Sequence, residues 1–131
     1  MKGKVNNIVR IPTSLSGKFF RYWLEFLTPF HHLTNKEMDV MTCFLKYRQE
    51  LKDKISDPDI LDKVLMGEDT KRKIREECDM KVSNFQVVLG KLRRRKVIIG
   101  NKINPKFIPN INSDAEGFQL LLLFDFQWKL K

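Results

Sequence analysis

The stretch Lys73–Ile103, KIREECDMKVSNFQVVLGKLRRRKVIIGNKI, decides the fold. Its centre carries apolar residues spaced i, i+3, i+4 and i+7, the positions that share one face of a helix: Phe85, Val88, Leu89 and Leu92. Upstream of them, Ile74 and Cys78 lie on one face of a shorter helix. The pattern predicts two helices joined by a tight turn, with the Ser83 side chain capping the second helix.

A hairpin follows the second helix. Lys96–Ile99 is rich in β-branched residues and predicts a strand, Gly100–Asn101 is a favourable two-residue turn, and Lys102–Ile103 is the return strand. The segment therefore predicts the order helix, turn, helix, hairpin.

The positive charge of the chain is concentrated in the same segment. The sequence of 131 residues has a formal net charge of +9, and residues 71–106 hold twelve basic and three acidic side chains, so this segment accounts for the whole excess. The other residues of the chain hold equal numbers of basic and acidic side chains. A concentrated basic block of this kind indicates a surface that binds a polyanion, and its alternative is an ordinary solvated lysine-rich face.

The clearest helix start in the chain lies further upstream. Thr34 and Glu37 have the spacing of a capping box, and Leu33 and Met38 are placed for a hydrophobic staple. Helical periodicity then continues to about Lys54.

Two further helices are predicted between this one and the deciding segment. Asp57 is placed as an N-cap before a helix that ends at Gly67, and Asp69 or Thr70 is placed to cap the next one. The first of these helices is expected to bury four apolar residues, Ile60, Leu61, Val64 and Leu65.

The two ends of the chain predict strands. Val5–Ile11 is β-branched and precedes a proline, which favours an edge strand, and Ser14 or Ser16 is placed to cap a helix over residues 19–27 that Pro29 ends. Phe118–Lys131 alternates in polarity and predicts a long C-terminal strand. The expected fold is α+β and mainly helical, in one domain over 1–131. Its parts are an N-terminal strand and helix (1–32), a core (33–104) and a C-terminal extension (105–131).

Residues 33–103 resemble the winged helix-turn-helix superfamily of DNA-binding proteins, with Ile74 and Cys78 as core residues of the first helix and Met80 and Val82 at the turn. The resemblance implies a winged core in which a recognition helix at about 84–95 enters the major groove and the hairpin is the wing. Asp79 and Lys96 stand at two positions where such motifs often have glycine.

The residue types on the outward face agree with that implication. Asn84 and Gln86 can pair with an adenine edge, and Val87 can touch a thymine methyl group. The amides near Ser83 and several cations suit phosphates. The predicted DNA-binding set is Lys81, Ser83, Asn84, Gln86, Val87, Lys91, Arg94, Arg95 and Lys102. The alternative is that the polar residues are ordinary helix-surface positions and that the run of residues 93–96 complements the helix dipole.

Other classes of function have little support in the sequence. No phosphate loop, nucleophile elbow or HExxH motif occurs, and His31 and His32 with two distant cysteines do not have the spacing of a zinc site. We expect no catalytic residues, no metal, no cofactor and no membrane segment. Two cysteines, Cys43 and Cys78, predict free thiols in a cytoplasmic protein without a secretory signal.

Two functions follow as expectations. The first is a DNA-binding protein, either a transcriptional regulator or a replication-accessory factor, of phage, plasmid or bacterial origin. The second is a non-enzymatic interaction protein, for example a phage virion or assembly component, which forms a homodimer or larger assembly through the apolar C-terminal strand. The alternative for this strand is that the Val5–Ile11 strand and the aromatic residues Phe19, Phe20 and Trp23 cover it. RNA binding is a third possibility, which the lack of paired strand aromatics disfavours.

Overall fold

The computed structural model describes residues 8–126, which form six α-helices and one two-stranded sheet. The helices are α1 (Phe19–Phe26), α2 (Thr28–His31), α3 (Asn35–Lys52), α4 (Pro58–Leu65), α5 (Glu68–Glu77) and α6 (Val82–Arg94). The strands are β1 (Ile98–Ile99) and β2 (Lys102–Ile103), and a 3₁₀ turn follows at Pro105–Phe107. The mainly helical α+β class predicted from the sequence is confirmed. No helix within the described range is long and apolar enough to cross a membrane.

Helix α3 is the scaffold, because α1, α4, α5 and α6 all pack against it. Its predicted capping box is present: the Thr34 hydroxyl accepts from the Glu37 amide at 3.3 Å, and a Glu37 carboxylate oxygen accepts from the Thr34 amide at 3.1 Å. Leu33 and Met38, the predicted staple pair, are both buried. The helix ends at Lys52, two residues before the predicted end.

The boundaries of α4 and α5 differ in part from the prediction. Asp57 caps α4 as expected, but Gly67 does not end it, because Met66 is the C-cap and Gly67 is already the N-cap of α5. Asp69 and Thr70 therefore lie inside α5, where the Thr70 hydroxyl donates to the Val64 carbonyl oxygen at 3.0 Å. Of the four apolar residues expected inside α4, Leu61 and Leu65 are buried, whereas Ile60 and Val64 are exposed.

Helices α5 and α6 end with the same backbone motif. After α5, the Met80 amide donates to the Arg75 carbonyl oxygen at 3.0 Å and the Asp79 amide donates to that of Glu76 at 3.1 Å, with Asp79 at φ +51°. After α6, the corresponding bonds run to the carbonyl oxygens of Leu92 and Arg93, with Lys96 at φ +61°. This is the Schellman motif, in which the left-handed residue is usually glycine. Asp79 and Lys96, which stand where such motifs often have glycine, thus both have the left-handed backbone conformation.

The start of α6 differs from the prediction. Lys81, with φ −73° and ψ 155°, is the N-cap, so Ser83 occupies the second helical position and its side chain does not cap the helix. After the Asp79 turn the helix begins two residues earlier than predicted, so the expected Ser83 cap is wrong.

The hairpin has the predicted register. Ile98 pairs with Ile103 and Ile99 with Lys102, around the turn Gly100–Asn101. Gly100 has φ +62° while Asn101 does not have a positive φ, which is the pattern of a type II′ turn. Ile98 and Ile103 are buried, so one face of the hairpin joins the core and the other faces solvent.

The predicted N-terminal strand is absent from its described part. Residues 8–11 are exposed and form no strand, while the rest of Val5–Ile11 lies outside the described residues. Neither Ser14 nor Ser16 caps α1: its N-cap is Lys18, and the serines form a turn before it. Pro29 does not end α1 but starts α2, since the helix stops at Phe26.

The predicted C-terminal strand is also absent over residues 118–126, and residues 127–131 lie outside the described range. No strand lies beside this segment among residues 8–126, whose one sheet is β1–β2. Phe118 does pack edge-on against Phe19 and Trp23, with ring centroids 5.4 and 5.6 Å apart. The residues that follow it, Leu120 to Phe126, are exposed.

Candidate nucleic-acid interface

Helix α6 has one buried face and one face that is exposed to solvent. Phe85, Val88, Leu89 and Leu92 are buried, as the spacing predicted. They pack α6 onto α3 and onto β1. The nine residues of the predicted DNA-binding set are all exposed. Exposure alone does not assemble a binding surface, so the position of each residue around the helix axis decides which of them lie together.

Four exposed residues of α6 form one stripe, which we call the α6 stripe: Asn84, Val87, Lys91 and Arg94. At about 100° per residue they fall within about 80° of one another around the helix axis. Val87 lies in the middle of this stripe and is 57% exposed. Gln86 lies apart from it, because two residues of rotation place Gln86 about 160° from Asn84. Asn84 and Gln86 therefore lie on different faces of α6.

The N-terminus of α3 borders the α6 stripe. A depression of about 270 Å³ is lined by Thr34 and Lys36 on the α3 side and by Asn84, Val87 and Lys91 on the α6 side. A second depression of about 340 Å³ continues from Lys91 to Arg94 and Arg95. The Lys36 ammonium donates to the Cys78 carbonyl oxygen at 3.4 Å. Lys36 and Thr34 were not in the predicted set, since only the packing of α3 on α6 brings them to this surface.

One predicted phosphate contact has a protein partner. The Lys91 ammonium lies 3.9 Å from a carboxylate oxygen of Glu37, which is buried to 4% exposure. Glu37 is held there by the capping box of α3, so its charge is fixed beside the stripe. Glu37 lines the same depression as Lys91, Arg94 and Arg95, and of these three cations Lys91 is the one that it pairs with. The contact is long and the Lys91 side chain is half-exposed, so its ammonium stays accessible from solvent.

The two ends of the candidate surface lie on different elements. Lys81 and Ser83 are exposed at the start of α6, where no side chain caps the helix and the first-turn amides carry the positive end of its dipole. Lys102 is exposed on β2, opposite Ile99, which is 49% exposed. The hairpin thus presents a lysine beside an apolar side chain on its solvent face.

The histidine pair has a structural role. His31 is 1% exposed, its Nε2 donates to the Leu24 carbonyl oxygen at 2.7 Å, and its Nδ1 accepts from the Leu33 amide at 2.9 Å. Burial lowers the pKa of His31, which holds the ring neutral in this arrangement. Across residues 8–126, no three His, Cys, Asp or Glu side chains group together in a way that could hold a metal ion.

Comparison of the chain with protein-family models, with curated proteins and with solved structures finds no match. The functional argument therefore depends on the geometry and charge of the chain itself.

Proposed function

We propose that this protein binds double-stranded DNA, with α6 as the recognition helix in the major groove and the β1–β2 hairpin as a wing against the backbone. The observation that carries the proposal is the α6 stripe. It places an amide side chain, an exposed valine and two cations in a row on the second helix of a tight helix-turn-helix unit. A helix presented in this way fits the major groove, where amide groups bind adenine and apolar groups contact the thymine methyl.

The charges support the same orientation. Lys81 stands before α6, Arg94 and Arg95 stand at its end, and Lys102 stands on the hairpin, so the cations flank the stripe on both sides. Flanking cations suit phosphates on either side of a groove, while the central side chains reach the bases. The regulatory and replication-accessory roles share this mode of binding, and both are compatible with it.

The test is duplex DNA binding measured by fluorescence anisotropy across a series of salt concentrations. Five contacts, from Lys81, Lys91, Arg94, Arg95 and Lys102, predict a slope of about −4.5 for log K against log salt, since each contact contributes about −0.9. The double variant Arg94→Glu with Arg95→Glu is expected to reduce the slope by about 2. A wild-type slope near zero at low salt would refute the proposal.

A matched control separates local contacts from overall charge. Lys54→Glu with Lys63→Glu changes the net charge by the same amount, at exposed positions outside the α6 stripe. Lys54 follows the C-terminal end of α3, a helix of 18 residues and so about 27 Å long, whereas the stripe lies at its N-terminal end. The control is expected to keep most of the wild-type slope. Equal losses in the two double variants would indicate that only net charge matters.

Base reading is tested separately with Asn84→Ala and Gln86→Ala. Selection of DNA from a random pool is expected to give a consensus with wild-type protein. Asn84→Ala is expected to relax one position of that consensus by about 1–3 kcal/mol, because the bidentate pair with the base is lost. Gln86→Ala is expected to leave the same position unchanged, since Gln86 lies outside the α6 stripe. Tighter binding of single-stranded RNA than of duplex DNA in the anisotropy assay would contradict the proposed binding mode.

A second candidate function has one specific observation in its favour. The described C-terminal segment exposes large apolar residues in succession, with Leu121 at 67%, Leu123 at 58% and Phe124 at 82%. An exposed apolar run of this kind is typical of a surface that contacts another protein, most simply a second copy of the chain. Light scattering of the wild type and of Leu121→Ser with Phe124→Ser tests it. Association that the double substitution abolishes would support an assembly role, and a monomeric wild type at high concentration would exclude it.

A further inference from the structure

The two cysteines of the chain lie side by side. Cys43 on α3 and Cys78 at the end of α5 are 35 residues apart in sequence, and their Sγ atoms are 3.7 Å apart. Both are free thiols and both are partly exposed. A disulfide has a sulfur–sulfur distance of about 2.05 Å, so rotation of the two side chains has only a short gap to close.

A carboxylate stands next to the pair. One oxygen of Glu77 accepts from the Cys43 thiol at 3.3 Å, and the other accepts from the Tyr47 hydroxyl at 2.7 Å. Hydrogen bonding to Glu77 raises the pKa of Tyr47 to about 12, so this hydroxyl stays protonated and holds the carboxylate in place. Glu77 is therefore positioned to take the Cys43 proton when that sulfur becomes a nucleophile.

The two thiols are not equivalent. When Cys78 is ionised, the Cys43 thiol can donate its one proton to the Cys78 sulfur instead of to Glu77, and this lowers the pKa of Cys78; the nearby Lys36 ammonium acts in the same direction. The same hydrogen bond and burial raise the pKa of Cys43. The Glu77 carboxylate lies 3.3 Å from the Cys43 sulfur and opposes a second negative charge there, whereas the Lys36 ammonium lies 3.4 Å from the Cys78 carbonyl oxygen. We therefore expect Cys78 to ionise and react first, because the thiolate is the nucleophilic form.

We propose that Cys43 and Cys78 form a redox-active dithiol that closes reversibly into an intramolecular disulfide when hydrogen peroxide supplies the oxidising equivalents. The Cys78 thiolate attacks one peroxide oxygen, the O–O bond breaks, and Cys78 becomes a sulfenic acid while the departing hydroxide takes a proton to form water. The Cys43 sulfur then attacks the Cys78 sulfur, and the S–O bond breaks. Glu77 takes the Cys43 proton and passes it to the leaving hydroxide, which becomes a second water molecule. Two electrons pass from the two sulfurs to the peroxide.

The crosslink has a defined place in the fold. It joins the scaffold helix α3 to the C-cap of α5, directly before Asp79 and its left-handed turn. Oxidation therefore fixes the junction between the two helices of the helix-turn-helix unit. The proposal does not depend on DNA binding, because its readouts are the state and the reactivity of the two sulfurs.

The experiment treats the reduced, full-length chain with hydrogen peroxide and counts the remaining thiols by alkylation and intact mass under denaturing conditions. The expected product is a monomer that has lost both alkylatable thiols and regains both with dithiothreitol. In a glutathione redox buffer, the equilibrium constant for the disulfide is expected to be at least about tenfold larger for the folded chain than for the chain in urea, because folding holds the two sulfurs together. A smaller constant for the folded chain would overturn the proposal. So would a folded chain that keeps both thiols, or one that forms only intermolecular disulfides.

Three variants test the roles of the side chains. With Cys43→Ser, peroxide is expected to leave a sulfenic acid on Cys78 that dimedone traps. With Cys78→Ser, the remaining thiol is expected to react at least about tenfold more slowly. Glu77→Gln is expected to slow disulfide closure at least about tenfold without changing the final thiol count. Circular dichroism of each variant checks that it is folded. Equal peroxide reactivity of the two single-cysteine variants would overturn the assignment of Cys78 as the attacking thiol.

Discussion

The left-handed residue at the end of α6 gives a prediction whose sign and size follow from the backbone. Lys96 has φ +61° and ends the recognition helix just before the hairpin. A residue with a Cβ atom in this conformation costs about 1–2 kcal/mol, whereas glycine pays no such cost but loses about 0.4–1 kcal/mol more backbone entropy on folding. Comparing Lys96→Gly with Lys96→Ala removes the lysine charge in both proteins, so only the Cβ atom differs.

The glycine variant is therefore expected to be more stable than the alanine variant by about 0.5–1 kcal/mol, the part of the strain that exceeds the entropy term. For a chain of this length that difference raises the melting temperature by about 2–4 °C. The measurement is urea unfolding followed by far-UV circular dichroism, with the m-value required to be the same in both variants.

Gly90 provides a control of opposite sign in the same helix. It lies inside α6, has a helical φ, and a Cβ atom added there would meet nothing within 4 Å. Gly90→Ala is therefore expected to stabilise the protein by about 0.5–1 kcal/mol. If alanine is at least as stable as glycine at position 96, then Lys96 is not left-handed in solution, and the Schellman end of α6 is wrong.

Three further outcomes are expected. The folded state holds His31 neutral, with its pKa below 6.5. In the unfolded chain the same side chain binds a proton below about pH 6.5. The unfolding free energy therefore falls with decreasing pH, by up to about 1.4 kcal/mol per pH unit, until the pKa of the folded state is reached. His31→Gln is expected to remove this component between about pH 7.5 and about pH 5.5, and an unchanged pH profile would contradict the neutral ring. Thr34→Ala breaks the capping box of α3 and is expected to cost about 1 kcal/mol in urea unfolding, with Thr34→Ser restoring most of it. Leu121→Ser with Phe124→Ser is expected to change the unfolding free energy by less than about 0.5 kcal/mol, since both side chains are exposed; a large loss would place this segment in the core.

The sequence alone determined the elements whose signals are local. The capping box at Thr34, the Asp57 cap, the buried face of α6 and the register of the Gly100–Asn101 hairpin depend on residues within a few positions of one another, and each was predicted correctly. A helix cap whose position depends on a neighbouring turn was not predicted correctly. Lys81 caps α6 in place of Ser83 because the Asp79 turn sets where the helix begins.

The sequence did not determine whether an alternating apolar segment becomes a strand. Residues 118–126 have the pattern of a strand and are not one, because a strand must pair with a neighbouring strand and the described residues place no strand beside this segment. Pairing depends on what lies beside a segment in space, which periodicity does not contain.

The candidate surface combines both kinds of information. The sequence by itself determined that the excess charge and the exposed face of α6 belong to one segment, because charge count and helical phase are properties of the chain. Only the tertiary structure decided that Lys36 borders the α6 stripe and that Glu37 neutralises part of Lys91. It also decided that Cys43 meets Cys78. These contacts join α3 to α5 and α6 across more than thirty residues, and they arise from the way the apolar faces of those helices pack together.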